Sequence, residues 1–128
     1  MKRIIAVIVI TLGIIGLAIW ELLYIDSTID VMNVKCDEIY TEISTQTTVT
    51  DKLSQQVDNI EKYWLKREKT LCLVISHKDM SNIGDYIGYL KASVRNDNLA
   101  DCQTYALLLR ENMEYLGHMI SFNFENIL

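Results

Sequence analysis

The side chains able to do chemistry are few and scattered. There are two histidines, His77 and His118, and three cysteines, Cys36, Cys72 and Cys102. The cysteines form no CxxC pair and no Cys/His cluster with zinc spacing, and Asp79 is the only carboxylate close behind His77. An odd cysteine count argues against a complete disulfide framework. One Cys72–Cys102 bridge is conceivable, but three small buried hydrophobes is the preferred reading. His77 is expected at the end of a helix, beside carbonyls and the negative pole of the dipole. Adjacent carboxylates such as Asp37-Glu38 diverge on a helix and read as a solvated face. No serine, cysteine or histidine sits in a nucleophile motif. The expectation is a protein that is not an enzyme, with no cofactor and no metal.

Two other patterns could serve binding. Gly84-Asp85-Tyr86-Ile87-Gly88 is a GxxxG segment in a polar context. It suits close approach of another helix, inside the domain or from a partner, and cannot be a phosphate loop because no Lys-Ser/Thr follows. Gly84, Gly88, Tyr86 and Tyr89 are therefore the candidate partner-binding residues. Tyr63, Trp64, Tyr86, Tyr89, Tyr105 and Tyr115 could line a ligand groove; at helical spacing they read better as core with hydroxyls at its rim.

The elements that position these residues begin with an apolar run. Ile4 to Trp20 is interrupted only by Thr11, Gly13 and Gly16 among apolar residues. Extended to Ile25 the segment would be a helix of about 33 Å, enough to cross a hydrocarbon core of about 30 Å. Ile4, Ile8, Leu12, Ile15 and Ile19 read as membrane-facing, with Trp20 and Tyr24 as interfacial aromatics. Lys2 and Arg3 precede the run, so the positive-inside rule puts the N-terminus in the cytoplasm and the remainder outside. Cleavage after Gly16-Leu17-Ala18, as in a signal peptide, is the competing reading. Gly13 and Gly16 are too close together for a GxxxG dimer face.

The expected organisation is thus a cytoplasmic start and anchor over 1–25 and an extracytoplasmic domain over 26–128. Without Lys2, Arg3 and Glu21, that domain carries 10 basic and 16 acidic side chains, a net of −6. Such a charge disfavours nucleic acid as a partner, and anionic headgroups would repel the domain as a whole.

The fold class is all-α. The chain contains no proline, and from Leu17 to Ile83 no glycine. Ile25, Ile29, Met32, Cys36, Ile39 and Ile43 form a first stripe at spacings of three and four. It either continues the membrane helix or starts afresh with Ser27 as N-cap. Thr45–Thr50 reads as a turn, with Thr48 or Thr50 capping a second helix. That helix shows Leu53, Val57, Ile60, Trp64, Leu71 and Val74, interrupted by Arg67, and is expected to run to about Ile75. Ser81 is the expected cap of a third helix bearing Ile83, Ile87, Leu90 and Val94. Arg95–Asn98 is a turn, and Leu99, Cys102, Ala106, Leu109, Met113, Leu116 and Ile120 form the fourth stripe. Phe122, Phe124 and Ile127 are expected to dock on the resulting antiparallel bundle.

The order of these features resembles a small bacterial family known only as domain-of-unknown-function family 4363. The matching pieces are Lys2-Arg3, Trp64, Leu73-Val74-Ile75-Ser76-His77, Asp79, Ser81-Asn82-Ile83 and Glu125-Asn126-Ile127-Leu128. They cover nearly the whole chain, but most are helix punctuation, and the Thr45–Thr50 turn is richer in threonine than the family pattern. The resemblance implies a membrane-anchored protein of spore-forming Gram-positive bacteria acting beside a small multi-pass membrane protein. It brings no activity with it.

The expected function is a membrane-anchored interaction module, an accessory subunit of an envelope membrane protein. The partners would be the lipid bilayer and that protein; a homo-oligomer is also compatible. The alternative is a small-ligand or ion sensor on the outer face.

Overall fold

The computed structural model describes residues 1–127, without the side chains of Asn123, Phe124 and Ile127. Among the described residues there are four helices and no strand: α1 (Lys2–Thr45), α2 (Asp51–Leu71), α3 (His77–Arg95) and α4 (Leu99–Ile127). Each packs on its neighbours in a ring, α1 on α2, α2 on α3, α3 on α4 and α4 back on α1. Short connections make successive helices antiparallel, as an up-down bundle requires.

Helix α1 passes through Ser27 without a break. Its 44 residues make a rod of about 66 Å. No proline or glycine lies between Leu17 and Thr45 to interrupt it. Thr28 behaves as a helix-interior residue, its hydroxyl donating to the Tyr24 carbonyl at 2.8 Å. The reading in which Ser27 starts a new helix is thereby corrected. Burial begins at Ile25, and from there the whole first stripe, Ile25 to Ile43, is buried. Before it no residue is buried, and from Lys2 to Glu21 every residue is exposed. This one N-terminal helix is long and apolar enough to span a membrane.

The starts of the other helices are capped by side-chain oxygens. Thr50 accepts from the Leu53 N–H at 3.2 Å and starts α2. Helix α3 starts earlier than the spacing suggested. Ser76, not Ser81, accepts from the Asp79 N–H at 3.2 Å and donates to the Asp79 carboxylate at 2.8 Å. Ser76 has an acidic residue three positions on, whose carboxylate accepts from the capping hydroxyl; Ser81 has only Gly84 there. Asn98 repeats the device for α4, accepting from the Asp101 N–H at 3.1 Å and donating to its carboxylate at 2.8 Å.

The α2–α3 connection differs most from expectation. Helix α2 ends at Leu71, and Leu73 and Val74 lie on the outside, while Leu71 and Ile75 turn into the core. The apolar run is therefore a turn with two residues in and two out, not a buried helix end. Between α3 and α4, Asp97 takes a left-handed backbone (φ 53°) and the Asn98 N–H reaches the Ser93 carbonyl at 3.0 Å, closing the end of α3.

The core follows the stripes. Trp64, Met32, Ile39, Leu53, Ile60, Leu90, Leu109 and Met113 are among its fully buried side chains. Gly117 of α4 faces α1, where a Cβ would meet Ile29 Cγ2 at 3.4 Å, an ordinary packing contact. Phe122 remains 65% exposed, contrary to the docking expected of it. The expected docking of Phe124 and Ile127 lies outside the described residues.

Candidate functional site

The cysteines do not come together. Cys36 and Cys102 are buried, Cys72 is half-buried, and all three are free. Cys72 closes α2 and Cys102 lies in the first turn of α4, at opposite ends of the bundle, so the Cys72–Cys102 bridge is corrected to two separate thiols. Burial pushes the Cys36 thiol up to about 12, with Asp37 adding to the shift and Arg110 opposing it. Burial, then Asp101, raises Cys102 as well. Both thiols are thus poor nucleophiles at neutral pH.

His77 is not at the end of α2 but is the first residue of α3. Its neighbours there are exposed N–H groups rather than carbonyls, because the Ser76 cap begins the helix one residue earlier. His118 is exposed on α4. Among the described residues no three His, Cys, Asp or Glu side chains gather.

The four candidate partner-binding residues divide between two sides of α3. Gly84 faces α2, where a Cβ would stand 3.9 Å from Trp64 Nε1, whereas Gly88 opens to solvent. Tyr86 packs against the core, and Tyr89 is exposed, with its ring 5.3 Å from that of Tyr105 on α4. Gly88 and Tyr89 are the members of the set left on the surface. The other aromatics disperse: Trp64 is buried, Tyr63 lies under Arg67, and Tyr115 is exposed on α4. They do not form one wall of a groove.

At the end of the bundle next to the apolar segment, sequence spacing gave no warning of a different grouping. Trp20 and Tyr24 stack with ring centroids 5.8 Å apart. The Arg67 guanidinium lies 3.8 Å from the Tyr63 ring centre and 5.9 Å from that of Tyr24. In the stripe Arg67 looked like a polar interruption; in the bundle it is a cation set on aromatic faces where α1 leaves the apolar segment. Between α1 and α4 is a cleft of about 240 Å³ lined by Leu22, Leu23, Asp26, Ile120, Ser121 and Glu125.

Elsewhere the surface is tied by ion pairs. Lys52 meets Glu42 at 3.0 Å, Lys91 meets Glu61 at 2.6 Å and Asp58 at 3.7 Å, and Arg110 meets Asp37 at 2.8 Å. These pairs join α1 to α2, α2 to α3 and α4 to α1. Being partly solvated, each contributes little, about 0–1 kcal/mol.

The fold defines a class: a helical bundle built directly on the second half of a helix whose first half is apolar all round. The family model described as a domain of unknown function, DUF4363, matches residues 19–127, and the chain belongs to that family. No curated protein and no solved structure matches it.

Proposed function

We propose that the chain is a membrane-anchored interaction module, with its N-terminus in the cytoplasm, its bundle outside, and no catalytic activity of its own. It serves as an accessory subunit of another membrane protein of the bacterial envelope. The observation that carries this reading is the unbroken α1. A helix that is apolar all round for its first half and striped for its second couples the bundle to the bilayer without a hinge. A domain held at one height and one orientation suits lateral docking on a neighbouring membrane protein. Lys2 and Arg3 support the orientation. The exposed Gly88 and Tyr89, with Tyr105 beside them, are the favoured docking residues. Exposed tyrosines are enriched among the residues that anchor protein interfaces.

The test is cross-linking in native membranes, followed by mild-detergent purification of the tagged full-length protein. A membrane protein recovered in stoichiometric amount, and lost with Y89E, is the expected result. Recovery of the chain alone would overturn the accessory-subunit reading.

A further inference from the structure

We infer that the α2–α3 corner is a lipid-contacting foot. Leu73 and Val74 sit in the interfacial layer of the bilayer that holds the anchor, and Lys66, Arg67, Lys69 and Lys78 engage anionic headgroup phosphates around them. This rests on the membrane reading of α1 given above.

Height is the first argument. Arg67 lies over Tyr24, so α2 at that residue is level with the outer end of the apolar segment, where Trp20 and Tyr24 stack. Helix α2 continues four residues beyond Arg67 to Leu71, which carries it about 6 Å further toward the membrane. The turn that follows is then level with Trp20. At its tip Leu73 is 77% exposed and Val74 55%, while Leu71 and Ile75 point inward. Two apolar side chains at the apex of a turn, beside the membrane segment of their own chain, find an apolar layer within reach.

Charge is the second argument. Five of the ten basic side chains outside the anchor fall between residues 62 and 78, against one carboxylate, Glu68. Asp79, just beyond, is engaged with Ser76. Asp26 and Glu125 line the cleft on the α1–α4 side. The net charge of the domain would repel anionic lipid if it were spread evenly, but its cations are gathered where lipid is nearest.

Pairing is the third. Lys52, Lys91 and Arg110 hold carboxylates across helix interfaces. Among the described residues, Lys66, Arg67, Lys69 and Lys78 have no carboxylate within 4 Å. A guanidinium fixed on tyrosine faces with donors to spare suits a phosphate oxygen.

The experiment uses the full-length chain in vesicles of phosphatidylcholine alone and of phosphatidylcholine with phosphatidylglycerol at about 7:3. Brief amine acetylation is read by mass spectrometry as the ratio of Lys66, Lys69 and Lys78 modification to that of Lys52. Lys52 pairs with Glu42, about 27 Å along α1 from Tyr24, and serves as the internal reference. The ratio should fall at least about fivefold with phosphatidylglycerol, and the L73E/V74E variant, altered only at exposed positions, should abolish that fall. An unchanged ratio overturns the inference. An alkaline carbonate wash separates the two readings. A chain that stays in the vesicles with an unchanged ratio refutes the foot alone; a chain that washes off refutes the anchor and the foot together.

Discussion

The two halves of α1 share one continuous backbone and differ in where their apolar residues lie. From Ile4 to Trp20 they surround the helix, and every one of them is exposed. From Ile25 to Ile43 most of them keep to one stripe, which is buried against α2 and α4, and only Val34 among them is exposed. A helix can therefore change its surroundings without changing its backbone. What changes is whether the opposite face is polar, as it becomes at Asp26, Ser27 and Asp30.

Paired truncations sharpen that contrast most. Ile39→Ala should cost the bundle about 2–5 kcal/mol, since it opens a cavity between packed helices. Ile8→Ala should leave folding stability within about 0.5 kcal/mol, because Ile8 touches no other helix. Urea unfolding of the full chain in detergent measures both. Similar losses at the two positions would break the comparison.

The junction is the next place to test it. Ser27→Pro should destabilise by about 3 kcal/mol, through the lost hydrogen bond and the ring clash of an interior proline. Ser27→Ala should be neutral within about 0.5 kcal/mol. A loss near 1 kcal/mol for the alanine variant would mean that Ser27 caps a separate helix.

Cys36 reports on the dryness of the packed half. Its folded pKa of about 12 lies above the ordinary 9.0, so the folded state holds the proton more tightly. The stability this confers is fully present below pH 9 and lost as pH rises toward 12, at on the order of 1 kcal/mol per pH unit. Comparing the wild type with Cys36→Ala across that range should show the alkaline slope shrinking in the variant. Equal slopes would mean that water reaches the stripe.

The caps give a smaller effect. Ser76→Ala should cost about 1 kcal/mol, and Ser81→Ala only a few tenths, in thermal melts. Equal effects would relocate the start of α3.

Much of this was readable from residue order. Four stripes at spacings of three and four named nearly every buried residue, because the period of a helix is local and burial follows it. The misreadings cluster at the α2–α3 connection. There Leu71-Cys72-Leu73-Val74-Ile75 is uniformly apolar, and a run without periodicity does not say which members face inward. Ser81 was the expected cap of α3, but Ser76 takes that role, because the turn brings its hydroxyl to the Asp79 N–H. Phe122 was misread for a related reason: an apolar residue near a chain end does not announce whether a neighbour lies within reach.

The candidate site was the least legible part. Gly84 and Gly88 drew attention by their spacing, yet a Cβ at Gly84 would stand 3.9 Å from Trp64 Nε1 and one at Gly88 would meet nothing within 4 Å. Arg67 looked like an interruption because its partners, Tyr63 and Tyr24, lie on its own helix and on another. By itself the sequence determined the helical class, the apolar N-terminal span and the faces that would be buried, since all three depend on local composition and period. Tertiary structure alone decided that α1 is continuous, that the cysteines stay apart, and that unpaired cations and exposed Leu73 and Val74 lie at the end of the bundle next to the apolar segment. Those outcomes depend on the antiparallel return of α2, which sets residues forty positions apart level with one another.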